Sequence, residues 1–343
     1  SYLDVARRYA EGERAAAVAE VGRFTQPELV AVLASLRAQA EAASCVGCAA
    51  PSAPLRAIVM LHTDRDEMEG RPAEMAGELG PTCGVRRHAA FAERVLDYLR
   101  DDAPGRDFSR RWYLAMALRA LEDTCLADGE AWARAGLKWF PRDAELLFAH
   151  GSLQERVAAS ASLTPPNAAS LLPREREAVN ALLQERRMRF DEARRAFEGA
   201  VAADPAMTDA RLHLGRTLLY LERFEDARKA LEVVATQAGT KAETLYLARL
   251  FLGRVHESRG RLEAAVAEYE AAVGLDPSAQ SAAVALSYVQ QARGEAAEAR
   301  TVLERGLEEA KQRRLPDPFW AYPLGRAAEH KEMFARLRRE ASP

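Results

Sequence analysis

The chain has 343 residues, 48% of them hydrophobic, 7% aromatic and 29% charged, which is enough for a sizeable core and is rich in helix-forming Ala, Leu, Arg and Glu. Its 48 basic and 51 acidic residues leave a net charge of -3, so no strong field draws it toward nucleic acid or an anionic lipid surface. No run of about 18 apolar residues occurs, so no segment qualifies to span a bilayer.

The sequence opens on Ser1 with neither a basic region nor an apolar signal core, the pattern of a processed or truncated product. Residues 1–105 read as a divergent helical cap. Thr25, Pro27 and Glu28 form a capping box ahead of a helix reaching Ala43, with Leu29, Val32, Leu33 and Leu36 on one face. A Gly- and Pro-punctuated loop over 44–54 follows, then helical spacing through Ile58, Val59, Leu61 and His62. A second irregular stretch over 69–82 leads to a helix through Phe91, Val95, Leu96 and Leu99.

Residues 106–173 hold a degenerate helix pair, with Tyr113, Met116, Ala117, Ala133, Gly136 and Pro141 near packing and terminating positions. Another helix starts at Ala144 and contains His150-Gly151. The prolines of 163–173 then force the chain out of helix.

Over 174–314 the pattern is regular. Residues 246–277 form its clearest unit: Leu252-Gly253 on a first helix, a break at Gly260, then Ala265, Tyr269 and Ala272 on a second, ended by Asp276-Pro277. That order resembles the tetratricopeptide (TPR) repeat, with His256 where the family most often has Tyr and Arg249 where it has Trp. Units counted from Arg174, Thr208, Tyr246 and Gln280 are spaced 34, 38 and 34 residues apart, against a family period of 34. The first places Asn180-Ala181 at the Leu-Gly site, followed by Ala193, Phe197 and Ala200; the second has Leu214-Gly215, Ala227 and Leu231; the fourth has Leu286-Ser287, Ala299 and Leu303. A small residue at the eighth position lets the second helix approach, and a large one at the twenty-fourth fills the gap.

The resemblance implies an all-α, TPR-like helix-turn-helix solenoid, a right-handed superhelix with a divergent helical N-terminal region and a C-terminal capping helix. The chain then divides into 1–105, 106–173, 174–314 and 315–343. In the last part the aromatic, Pro-rich stretch 316–325 is expected to cover the open end of the last repeat, ahead of a helix carrying Met333, Phe334 and Leu337.

The family's concave face, projected onto this chain, selects Leu182, Glu185 and Arg186, then Leu212, Arg216, Leu219 and Tyr220, then Leu250, Arg254 and Glu257, then Tyr288 and Gln291. Three arginines along one groove, with Leu and Tyr between them, suit an acidic or extended partner segment with apolar anchors; pairing with neighbouring Glu on a solvated surface is the alternative. Phe319, Trp320 and Tyr322 form a possible second surface. Only Asn167 and Asn180 occur in the whole chain, which disfavours the Asn-based carboxylate clamp of chaperone-binding TPR domains.

Cys45 and Cys48 make a C-x2-C, and Cys83, Cys125 and His88 could join it, but no second paired-ligand motif makes a zinc site specific. Structural disulfides, free buried thiols and a metal site all stay open, and Cys45–Cys48 with Cys83–Cys125 is one of three connectivities. His62 with Asp66 is read as a half-buried histidine beside solvated carboxylates rather than a metal site. No nucleophile elbow, phosphate loop or paired-carboxylate motif occurs, so an enzyme, a cofactor or a bound metal is not expected. The leading reading is a non-catalytic scaffold or adaptor for other proteins in an exported or periplasmic assembly, with a cytoplasmic location as the alternative. Its competitors are a metal- or redox-dependent protein built on Cys45 and Cys48, and a structural subunit that packs through its convex face.

Overall fold

The computed structural model describes residues 1–24, 27–32, 34–35, 52–69, 89–99, 103–160 and 172–342, without the side chains of 52–54, 66–69 and 173. Among the described residues all regular structure is helical. The helices are α1 (Tyr2–Ala10), α2 (Arg14–Val21), α3 (Ser52–Glu69), α4 (Ala89–Leu99), α5 (Ala103–Glu122), α6 (Leu126–Trp139), α7 (Ala144–Ser160), α8 (Pro173–Ala203), α9 (Thr208–Tyr220), α10 (Phe224–Thr236), α11 (Ala242–Ser258), α12 (Leu262–Leu275), α13 (Gln280–Ala292), α14 (Ala296–Lys311), α15 (Pro318–Ala321) and α16 (His330–Glu340). The chain forms two compact units, one of Ser1–Gly136 with Ala327–Pro343 and the other of Leu137–Arg326, whereas the sequence pattern suggested four parts. The capping box at Thr25, Cys45, Cys48, Cys83, His88 and the Pro-rich stretch up to 171 lie outside the described residues.

In the first unit, burial of Tyr2, Tyr9, Ile58, Phe91, Phe108 and Trp112 builds the core. The expectation of a half-buried His62 is corrected: the ring is fully buried, with Nε2 2.9 Å from the Tyr2 hydroxyl, because α3 packs against α1. Asp64, one turn-half further on, accepts from the Arg338 guanidinium at 2.8 Å, and Arg111 forms a bidentate pair with Glu340 at 2.6 and 2.7 Å. These pairs, with buried Phe334 and Leu337, seat the C-terminal helix α16 on α5 and α3. Cys125 is disulfide-bonded.

The second unit is a succession of helix pairs. In three of them the first helix presents backbone where its partner presents a large side chain. A Cβ on Gly151 would lie 2.6 Å from Phe197 Cε1, one on Gly215 2.5 Å from Leu231 Cγ, and one on Gly253 inside the Tyr269 ring. The expected first regular unit is therefore corrected. No turn interrupts 174–203; α8 is one unbroken helix, because nothing between Arg174 and Glu198 is Gly or Pro. Its later half gives Ala193, Phe197 and Ala200 to α7, so that Gly151, and not Ala181, is the small residue of that pair.

The turn after α9 differs from its two sisters. Gly260 and Gly294 follow α11 and α13 at φ of +68° and +85°, conformations that glycine adopts freely. The same position after α9 is Glu222, at φ +59°, where a side chain costs about 1 kcal/mol.

The glycine contacts give a direct check. Replacing Gly253 with Ala drives a methyl into the Tyr269 ring and lowers stability by about 1–3 kcal/mol, measured as a fall in the urea midpoint. Gly274→Ala, on the partner helix with nothing within 4 Å, is neutral or stabilising by up to about 1 kcal/mol.

Candidate partner-binding groove

Three first helices, α9, α11 and α13, line a cavity of about 790 Å³ in the second unit. Its apolar surface comes from Leu219, Leu250 and Phe251 with Phe224 and Ala285. Phe319 and Trp320 of α15 form one wall, which brings the suspected second surface and the suspected groove into one site. Tyr220, Val284 and Trp320 are 41, 48 and 64% exposed, so the apolar lining opens to solvent. Polar groups at the edges are Arg254, Glu222, Gln280 and Ser281.

The stretch 316–325 does not cover the end of the last repeat; it runs along the cavity instead, because two polar anchors hold it there. At one anchor, Asp317 accepts from the Ser281 amide at 2.8 Å and from the Phe319 amide at 2.9 Å. The first of these N–H groups belongs to the start of α13, where helix donors lack intrahelical partners, and the next, that of Ala282, donates to the Tyr246 hydroxyl at 3.2 Å.

Tyr322 supplies the second anchor. Its ring stacks on His213 at 4.2 Å, meets Phe251 edge-on at 5.3 Å and lies 4.4 Å from the Arg216 guanidinium. Its hydroxyl donates to both oxygens of Glu155, at 3.0 and 3.2 Å. Glu155, 3% exposed, also accepts from His213 Nδ1 at 2.6 Å and from Arg216 Nη1 at 3.4 Å. A carboxylate has no proton to give, so Nδ1 is the protonated ring nitrogen here. Burial alone would raise the Glu155 pKa; His213, Arg216 and the Tyr322 hydroxyl override it and hold it below the usual carboxylate range. Burial likewise opposes the charge on Arg216, and Tyr322 and Glu155 outweigh it, moving its pKa up. Burial and the nearby Glu155 push the Tyr322 pKa up, so its hydroxyl stays a neutral donor.

The arginine ladder expected along the groove is thus not one. Arg216 is 7% exposed and faces the rings of Tyr220, Phe251, Phe319 and Tyr322 as well as Glu155. Arg254 reaches the cavity, but its Nη1 donates to Glu257 at 2.7 Å, and Glu257 also accepts from the Tyr269 hydroxyl at 2.7 Å. Arg186 sits off the cavity, over the rings of Phe190 and Tyr220, with Leu182 and Glu185 exposed beside it on α8. Leu212 is buried in the core, while Tyr288 and Gln291 are exposed on α13 outside the cavity lining. Of the projected residues, Leu219, Tyr220, Leu250 and Arg254 line the cavity together with Arg216.

Sequence reasoning missed Phe251, Glu222, Val284 and, above all, Glu155. A signal for the last was present: an acidic residue four positions after Gly151, on the small-residue face of a helix.

The tetratricopeptide repeat family matches residues 182–251, and a second match covers 250–314. Residues 182–314 of the chain are tetratricopeptide repeats. Repeats of this kind mark a protein-interaction scaffold, so the partners are proteins. Cellulose synthase 1 operon protein C of Komagataeibacter xylinus is 32% identical over 126 residues, which is 33% of this chain and only 9% of that protein. Among solved structures, MamA 41-end from Desulfovibrio magneticus RS-1 shares 16% identity over 60% of this chain and 98% of its own, with a TM-score of 0.46. The pilF structure from Pseudomonas aeruginosa shares 17% over 68% of this chain and 90% of its own, also at 0.46.

Glu155→Gln leaves Arg216 buried without a counter-charge and is expected to cost about 3–5 kcal/mol of stability at neutral pH. Because the folded pKa of Glu155 is depressed, its contribution is complete above about pH 4.3, the unfolded value, and is lost as pH falls through the lower folded value. Urea midpoints followed from neutral pH into the acid range should therefore decline less steeply in the variant than in the wild type.

Proposed function

We propose that this tetratricopeptide-repeat protein is a non-catalytic scaffold that holds an extended segment of a partner protein in the groove formed by α9, α11 and α13. The cavity itself carries the reading: its volume of about 790 Å³ lies within the range of ligand sites, and its aromatic and aliphatic lining stays open to solvent. The apolar surface also continues past the cavity. Val284 and Tyr288, four residues apart on α13, share a face and are 48 and 63% exposed. An occupant that used all of it would be an extended segment rather than a compact small molecule.

The exported or periplasmic setting is part of the same reading. Disulfides persist in oxidising compartments, which fits the bonded Cys125. The relative from Komagataeibacter xylinus, named for a cellulose synthase operon, points the same way, over the small share of its length that this chain covers.

A photo-cross-linking residue at Tyr288 is expected to capture the native partner, while one at Val233, an exposed position on the second helix α10, is not. Capture at Val233 alone would assign the function to the outer face. For the compartment, iodoacetamide applied to protein from its own cell should leave Cys125 unmodified until a reductant is added; labelling of Cys125 before reduction counts against export.

A further inference from the structure

We infer that the partner segment seated in this groove carries a basic side chain next to an aromatic or large aliphatic anchor, and that Glu222 receives the basic group. The inference rests on the groove reading above and names what the groove selects.

Charge at the cavity leads to it. Both guanidinium groups in the lining already face carboxylates, Arg216 that of Glu155 at 3.4 Å and Arg254 that of Glu257 at 2.7 Å. An acidic side chain entering here would lose water with no uncommitted cation in the lining itself to meet it. Glu222 is the remaining carboxylate of the lining, is exposed, and has no ion pair within 4.0 Å among the described residues. Arg223, its neighbour, pairs with Asp226 at 2.7 Å, and Arg261 with Glu225 at 3.7 Å. The lining is therefore left with one uncompensated negative charge, in a cavity that also carries the exposed ring of Trp320, a group that attracts cations.

The backbone supplies a second, independent observation. Glu222 holds a left-handed φ of +59° at a position where both sister turns have glycine. Glycine there would relieve the strain, so the carboxylate is kept at the cavity against the interest of the fold. The occupant's apolar anchor has a template in the chain itself. Phe319, in the cavity wall, and the buried Tyr322 behind it meet Phe251 edge-on at 6.3 and 5.3 Å, and Trp320, 64% exposed, adds a further ring to the wall.

Random decapeptides displayed on phage and selected on the full chain test this, with selected sequences synthesised and their affinities measured at low and high salt. Enriched sequences should pair Phe, Trp, Tyr or Leu with Lys or Arg. Glu222→Gln should weaken them about fivefold and flatten the salt dependence. Glu222→Gly should weaken them equally while raising the urea midpoint, a combination that a purely structural residue would not give. Trp320→Ala, at an exposed position, should cost about tenfold or more in affinity. Enrichment of Asp and Glu, unchanged affinity in Glu222→Gln, or no enrichment at all would each overturn the inference. Acidic peptides combined with partner capture at Tyr288 would leave the groove reading standing and remove only this one; capture at Val233 alone would remove both.

Discussion

At Gly151, Gly215 and Gly253 a helix offers bare backbone to a side chain of its partner, and Phe197, Leu231 and Tyr269 occupy the space that a methyl would need. Close approach of this kind fixes how far apart the two helices of a pair can stand, because a packed interior has no slack to absorb an added atom. Everything else in the second unit inherits that spacing. It decides that first helices line up along one side, that a cavity opens between them, and that Tyr269 reaches Glu257 with its hydroxyl while its ring faces Gly253. One residue thus closes a helix pair and positions a carboxylate against Arg254.

Against that frame of apolar contacts, the polar chemistry is concentrated. Glu155, His213, Arg216 and Tyr322 satisfy one another in a buried group, and each would be costly alone. This group gives the groove its character by subtraction. It takes the most prominent arginine of the groove out of contact with solvent and turns it into a support for four aromatic rings. What is left in the cavity lining is mainly aromatic and aliphatic, with Glu222 as an exposed carboxylate.

The sequence made some of this legible and hid the rest for physical reasons. The pair α11–α12 could be read because all its determinants are local: Gly253, the break at Gly260, and Ala265 and Tyr269 at fixed offsets. Leu219, Tyr220, Leu250 and Arg254 followed from the same register. The pairing of α7 with the later half of α8 was obscured, since Gly151 and Phe197 stand much further apart than a repeat normally allows and good helix formers carry α8 through the place where a turn was due. Arg216 was misjudged because its carboxylate lies 61 residues away on α7, and no periodic pattern encodes such a contact. The destination of 316–325 was hidden in the same way, its anchors being Ser281 and Glu155 rather than neighbours in sequence.

Tyr322 and Glu155 are 167 residues apart, and their bond has a thermodynamic meaning beyond the groove. Stacked repeats ordinarily feel only their immediate neighbours, so an array can fray from either end one unit at a time. Here a single segment is tied to α7 near one end of the array by Tyr322 and to α13 near the other by Asp317. Loosening either terminal pair pulls on a segment held at both ends. The array is thereby closed into a loop of interactions, and its repeats are made to melt together instead of in sequence.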